Sequence, residues 1–196
     1  MVTSVDKWDR RYREAGDEVP APAAVLVDNA HLLPPAGRAL DLACGLGGNA
    51  RWLAERGLEV SAWDFSPVAI KRLATQADRQ GLELDAKARD VCDQPPAPAS
   101  FDVIVVAHFL ERSLASHLVQ ALRPDGLLFY ETFTRERVGE GGPGNPDFLL
   151  GPNELLGLFR PLHLLAYREE GRVGDTRRGF RDKAWLVAQK RCGDGR

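Results

Sequence analysis

The chain has 196 residues, 44% of them hydrophobic, and sets 26 basic against 28 acidic side chains for a net charge of −2. That size buries one substantial core, so a single domain over residues 1–196 is expected, and the even charge argues against nucleic acid as substrate or partner. Cys44, Cys92 and Cys192 form no C-x-x-C pair and read as free thiols of a reducing compartment. The opening VTSVDKWDRRYREAGDE is charged from its start, without an apolar signal core, and no apolar run approaches the roughly 20 residues of a membrane span. The expectation is a soluble cytoplasmic protein without a membrane partner, as a monomer or a small homo-oligomer.

No internal repeat is present, and VPAPAA (19–24) and QPPAPAS (94–100) read as connections. RALDLA (38–43) is a short apolar run ending in a glycine-rich turn, hence a buried strand. NARWLAERG (49–57) follows as a helix that Gly57 stops, and LEVSAWD (58–64) as a second strand. Ser66 with Pro67 behind it is an N-cap that opens a helix to about Gln80. LELDAKARD (82–90) is a third strand. FDVIVVAHF (101–109) is a fourth, and its unbroken apolar centre implies burial on both faces. A helix over 113–122 leads into PDGLLFYETF (124–133), the fifth strand. PLHLLAYREE (161–170) and KAWLVAQKR (183–191) have no helix between them and read as an antiparallel hairpin. The fold class is therefore α/β, a doubly wound, mostly parallel seven-stranded sheet that ends in that hairpin.

In such a sheet the ligand lies outside the carboxyl ends of the strands, at the switch point. The loop DLACGLGGNA (41–50) lands there. Gly45, Gly47 and Ala50 satisfy the dinucleotide pattern G-x-G-x-x-A, yet the same residues suit the amino-acid end of another nucleoside cofactor. Its glycines admit a ligand close to the backbone, and Asn49 with the helix-start N–H groups offers donors to a carboxylate or phosphate. Asp64, 23 residues after Asp41, is placed to accept both hydroxyls of a ribose. Phe65 beside it packs either on an adenine face or in the core. Asp90 ends the third strand, where a carboxylate can meet an adenine amino group. His108 ends the fourth, as general base, substrate contact or plain structural residue. The remaining histidines, His31, His117 and His163, are scattered, so no metal site is expected.

As an ordered set these pieces resemble the class I S-adenosylmethionine-dependent methyltransferases. LDLACGLGG is similar to their glycine-rich first motif, with Ala43 in place of the first glycine and Cys44 before Gly45. AWDFS is similar to the second motif, whose acid binds ribose, and ARDVCD to the third, whose aspartate meets adenine. The resemblance implies S-adenosyl-L-methionine as cofactor. It implies a loop contact from Asp41, Ala43, Cys44, Gly45, Gly47 and Asn49, and adenosine contacts from Asp64, Phe65, Ser66, Asp90, Val91 and Ala107. Within the superfamily the chain looks closest to the small tellurite-resistance-type and thiopurine-methyltransferase-like group. WDRRYREA resembles that group's N-terminal W/Y-D-x-x-Y segment, a helix that lids the cofactor, with Trp8 and Tyr12 on one helical face. The implied layout is a lid and docking segment (1–35), a cofactor-binding core (36–133) and an acceptor-side loop, helix and hairpin (134–196).

The implied partner is a small-molecule methyl acceptor. A soft nucleophile such as a thiol or metalloid needs little base assistance, whereas a hydroxyl needs a proton acceptor. NPDF (145–148) resembles the N-P-P-F/Y signature of enzymes that methylate planar amino nitrogens. It follows the fifth strand rather than the fourth, and is discounted with that chemistry. Glu131 and Thr132 are expected at the carboxyl end of the fifth strand, facing the cleft, with His108 and Glu131 as candidate catalytic groups. The Gly/Pro-rich loop after them reads as a lid, an acceptor pocket or a surface loop packed by Phe148, Leu149 and Leu150. GRVGDTRRGFRD (171–182) carries Arg172, Arg177, Arg178 and Arg181, an anion-attracting loop or a solvated hairpin turn. The competing functions are an NAD-dependent oxidoreductase, which would lack a Tyr-x-x-x-Lys dyad here, and a catalytically silent methyltransferase-like binding module.

Overall fold

A computed structural model describes residues 4–16 and 18–192. The expected lid segment at residues 1–3 and Asp17, and the acceptor-side segment at 193–196, lie outside the described residues. Seven strands form one sheet in the order β3-β2-β1-β4-β5-β7-β6. Here β1 is Arg38–Leu42, β2 Glu59–Asp64, β3 Leu84–Ala88, β4 Phe101–Ala107, β5 Leu122–Phe133, β6 His163–Glu169 and β7 Lys183–Gln189. The first five pair in parallel, and β7 runs antiparallel between β5 and β6. This is the expected sheet with its closing antiparallel pair. From β1 the chain steps outward through β2 and β3, then returns to lay β4 and β5 on the other flank. The switch point therefore falls between β1 and β4, where a sheet of this kind is expected to take its ligand.

Side chains alternate across each strand, so the sheet divides two core layers. Leu40, Leu42, Ile104, Val106, Leu128, Tyr130 and Leu186 face one layer, closed by α5 (Ala115–Ala121) and α6 (Glu154–Leu158). Ala39, Val60, Ala62, Val103, Val105, Phe129 and Val187 face the other. Its cover comes from α2 (Ala24–Asp28), α3 (Gly48–Ala54) and α4 (Pro67–Arg79). Val103–Val106 are fully buried, each side chain contributing about 1.5–3 kcal/mol. That rigid centre holds the carboxyl strand ends in register.

Local chemistry sets the element ends. The Ser66 hydroxyl accepts from the Ala69 N–H at 3.2 Å and Pro67 follows it, as the sequence predicts for the start of α4. The fourth strand ends two residues before Phe109, because His108 takes a left-handed φ of 58° and its N–H donates to the Glu131 carbonyl at 2.8 Å. The fifth begins at Leu122 rather than Pro124, with a register break where Arg123–Gly126 bulges between paired residues. Helix α2 opens at Ala24, in a segment whose Pro/Ala composition reads as connection. Among the described residues no helix is long and apolar enough to cross a membrane.

Candidate active site

Strand β1 carries Asp41 into the interior at zero exposure. Its Oδ2 accepts from the Ala50 N–H at 2.9 Å and its Oδ1 from the Asn49 amide at 3.3 Å. Burial drives its pKa up to about 7 against those hydrogen bonds. The Asn49 carbonyl accepts in turn from the Ala23 N–H at 2.8 Å. Between Asp41 and α3 the loop turns through left-handed residues at Ala43, Gly45 and Gly47. A Cβ on Gly47 would stand 2.2 Å from Leu73 Cδ1, so this glycine lets the loop sit down on α4. A Cβ on Gly45 would stand 3.0 Å from the Tyr12 hydroxyl, so this one lets the tyrosine of the N-terminal helix pack directly on the loop. Cys44 is buried behind the loop, and burial beside Asp41 and Asp64 pushes its thiol pKa up.

Asp64, at the end of β2, is 6% exposed. Its Oδ2 accepts from the Gly45 N–H at 2.8 Å and its Oδ1 from the Ser66 N–H at 2.9 Å. Burial raises its pKa in spite of these donors, and the Asp9 carboxylate raises it further. Asp9 lies on α1 (Ser4–Glu14), is buried, and accepts a short hydrogen bond from the Ser66 hydroxyl. Sequence reading missed it. Its i−1 and i+3 neighbours are the aromatic pair Trp8 and Tyr12, which drew attention instead. Those two rings stack at 5.9 Å. Tyr12 turns to the loop, where burial and then Asp64 raise its phenol pKa, while Trp8 stays 37% exposed. Arg72 of α4 fastens the far end of α1, donating to the carbonyls of Tyr12, Ala15 (2.8 Å) and Gly16 (2.5 Å).

The Arg89 N–H donates to the Asp64 carbonyl at 2.8 Å, fastening the end of β3 to the end of β2. Asp90 follows and folds its Oδ1 over the Cys92 N–H at 2.9 Å. Val91 is buried, and Phe65 and Ala107 are half-buried.

At the other end of the cleft His108 and Glu131 come together. Glu131 has no exposed surface. Its Oε2 accepts from the Val25 N–H at 2.9 Å, and its Oε1 from Lys183 Nζ at 2.8 Å. Burial alone would raise its pKa, but His108, Lys183 and Val25 outweigh it and hold the carboxyl at about 2. Lys183 Nζ also lies 2.8 Å from His108 Nε2 and 5.7 Å from the Phe133 ring centre. The His108 and Phe133 rings are 5.3 Å apart. Lys183 is absent from the sequence-based site. Only the antiparallel register, which sets Lys183 opposite Phe133, brings the first residue of β7 to the carboxyl ends of the parallel strands.

The two ends are neighbours in space. Ala23 N–H bonds Asn49 beside the loop and Val25 N–H bonds Glu131 beside the histidine, and two residues span at most about 7 Å. The stretch after β5 is anchored over this edge. Arg112 donates to Glu154 (2.5 and 3.1 Å) and to the carbonyls of Asp147 and Leu149, while Asp182 accepts from Val138 and Gly139. Leu149 and Leu150 are buried, but Phe148 is exposed. In the 171–182 loop Arg177 pairs with Asp175, Arg172 bonds the Arg137 carbonyl and Arg181 bonds several loop carbonyls. Those side chains brace the loop.

Residues 39–126 match the family model described as a methyltransferase domain. Over 171 residues the chain is 28% identical to the ubiquinone biosynthesis O-methyltransferase of Methylocella silvestris, covering 77% of this chain and 65% of that protein. It spans about half the length of other relatives bearing that name, such as that of Idiomarina loihiensis (43%). Among solved structures it superposes with TM-score 0.74 at 22% identity on a protein studied for the conversion of a disulfide bond into a thioacetal group during echinomycin biosynthesis. That match covers 98% of this chain and 94% of the other. TehB from Haemophilus influenzae follows at TM-score 0.69 and 23% identity, covering 95% and 67%. The matched model is that of a methyltransferase domain and the named relatives are O-methyltransferases, while the solved structures share the chain's fold.

Proposed function

We propose that the chain transfers a methyl group from S-adenosylmethionine to a small-molecule acceptor with a soft or readily ionised nucleophile, a thiol or metalloid among them. The observation that carries the cofactor reading is the charge around the glycine-rich loop. Asp9 and Asp64 converge on it, with the buried and partly protonated Asp41 beside them, and Asp41 and Asp64 take their hydrogen bonds from neutral N–H groups. A pyrophosphate there would meet like charge at about 4 kcal/mol per pair at 4 Å in an effective dielectric near 20. A ligand with a sulfonium, an ammonium and a ribose diol suits the same acids.

In this reading Asp64 accepts the ribose hydroxyls, and Asp90 the adenine amino group. Phe65, Ser66, Val91 and Ala107 line the nucleoside, and the Asp41–Asn49 loop holds the methionyl end under Tyr12 and Trp8. When bound, the cofactor supplies an activated methyl group: the acceptor's lone pair forms the new bond to carbon while the C–S pair stays on sulfur, leaving a neutral thioether. The protein's part is to align the acceptor and exclude water, with His108 and Glu131 at the acceptor end. The parts divide as residues 1–35 for lid and docking, 36–133 for cofactor and 134–196 for the acceptor, in one cytoplasmic domain that acts alone or as a small homo-oligomer. The likeness to TehB supports placing it near the tellurite-resistance-type group.

Calorimetry with S-adenosylhomocysteine and NADH tests the cofactor, and binding of NADH alone overturns the reading. Asp64→Ala is expected to weaken S-adenosylhomocysteine binding about 10- to 100-fold, the 1.5–3 kcal/mol of hydrogen bonds to a charged group, in a chain that still folds. Labelled methyl transfer to a panel of thiols, selenols and phenols tests turnover. Cofactor binding with silence across that panel favours a binding module instead.

A further inference from the structure

Neither candidate base at the acceptor end is suited to take a proton. Both carboxylate oxygens of Glu131 are engaged, by Val25 and by Lys183, and a carboxyl with a pKa of about 2 is a poor proton acceptor. Lysine has no acceptor atom, so in its 2.8 Å contact with His108 Nε2, itself 3.6 Å from Glu131 Oε1, the ammonium donates to the tautomer that leaves Nε2 unprotonated. Two of the three Nζ–H donors are thereby assigned. The side chain is 26% exposed and its Nζ lies 5.7 Å from the Phe133 ring centre, so a third N–H remains to be donated there.

We infer that Lys183 is the acceptor-binding cation of this site, and that it selects acceptors arriving as aromatic or conjugated anions: phenolates, enolates and aryl thiolates. The inference rests on the methyl-transfer reading above and names its acceptor class. The X–H proton leaves to water before the acceptor binds. The X⁻ lone pair accepts a hydrogen bond from Lys183 Nζ, the ring lies against Phe133 and His108, and no general base takes part. Glu131 and His108 are positioning residues that hold the ammonium from behind. Because Glu131 partly offsets its charge, the stabilisation of the anion belongs at the low end of the range for an opposite charge within hydrogen-bond reach.

The probe is 4-nitrophenol, whose phenolate absorbs visible light, titrated with pH on protein saturated with S-adenosylhomocysteine. The bound phenol is expected to ionise about one unit below its value in free solution. Lys183→Gln returns it to the free value, Lys183→Arg keeps part of the shift, and S-adenosylhomocysteine affinity is the same in all three. Methyl transfer to thiophenol follows, with the alkaline-rising limb of kcat displaced upward by about one unit in Lys183→Gln, a tenfold loss on that limb. Should Lys183→Gln not fold, Lys183→Met is read the same way. An unshifted phenol, an equal shift without the lysine, or no binding of either probe overturns the inference. Failure of S-adenosylhomocysteine to bind overturns the cofactor reading instead, and is seen before any phenol is added.

Discussion

Two buried carboxylates with opposite pKa displacements give the protein a distinctive response to pH. Asp41 is raised from 3.8 to about 7. Between those values the folded chain holds a proton that the unfolded chain has lost, so Asp41 makes stability fall as pH rises through that window. Glu131 is lowered from 4.5 to about 2. Its contribution is fully present above 4.5 and is lost as pH falls toward 2. Carbon-13 NMR of the carboxyl groups is expected to show one aspartate titrating near 7 that disappears in Asp41→Asn. An Asp41 that titrates in the ordinary carboxylate range contradicts the burial argument. In acid unfolding, Glu131→Gln should flatten the loss of stability between pH 4.5 and 2. An unchanged acid limb would show that Glu131 is not held in its charged form. The places of Asp41 and Asp64 in the fold were legible because each stands at the carboxyl end of a strand beside a recognisable turn. Asp9 and Lys183 were not, since their importance comes from partners 57 and 52 residues away.

At the scale of elements, two arginines act as fasteners that no local pattern announces. Arg72 binds three carbonyls at the end of α1, the helix that lies over Gly45. Arg112 binds two carbonyls and Glu154 and so fixes the stretch that runs from β5 into α6. The pair should separate kinetically. Arg112→Ala is expected to raise the acceptor KM about tenfold, about 1.4 kcal/mol, and to leave S-adenosylhomocysteine affinity unchanged. The reverse result would assign the loop to the cofactor. Strands were the most legible elements, because RALDLA and FDVIVVAHF are apolar runs bounded by turns. The end of β4 was not, since His108 turns left-handed to reach the β5 backbone, a tertiary bond that overrides an apolar Phe109. Helix α2 was hidden by the prolines before it. Its start is fixed by Asn49 and Glu131, whose acceptors receive the Ala23 and Val25 N–H groups.

For the whole molecule, a ligand seated between α1 and the glycine-rich loop binds the folded chain only. At a hundredfold excess over its dissociation constant S-adenosylhomocysteine adds about 2.7 kcal/mol, raising Tm by about 5–11 °C for a chain of this length. Scanning fluorimetry measures this directly, and a shift with NADH but not S-adenosylhomocysteine would reverse the cofactor assignment. The order β3-β2-β1-β4-β5-β7-β6 also carries a consequence for how the protein is made. A ribosome delivers β6 before β7, yet β6 has no place beside β5 until β7 has entered between them. The β5 edge, with the buried Glu131, therefore waits exposed while roughly fifty residues are added at about 5–20 residues per second. The parallel half has its glycine-rich loop and Asp64 in hand through that interval. Lys183 arrives with the same strand that seals the edge, so the nascent chain closes its sheet and completes the His108–Glu131–Lys183 cluster in a single event.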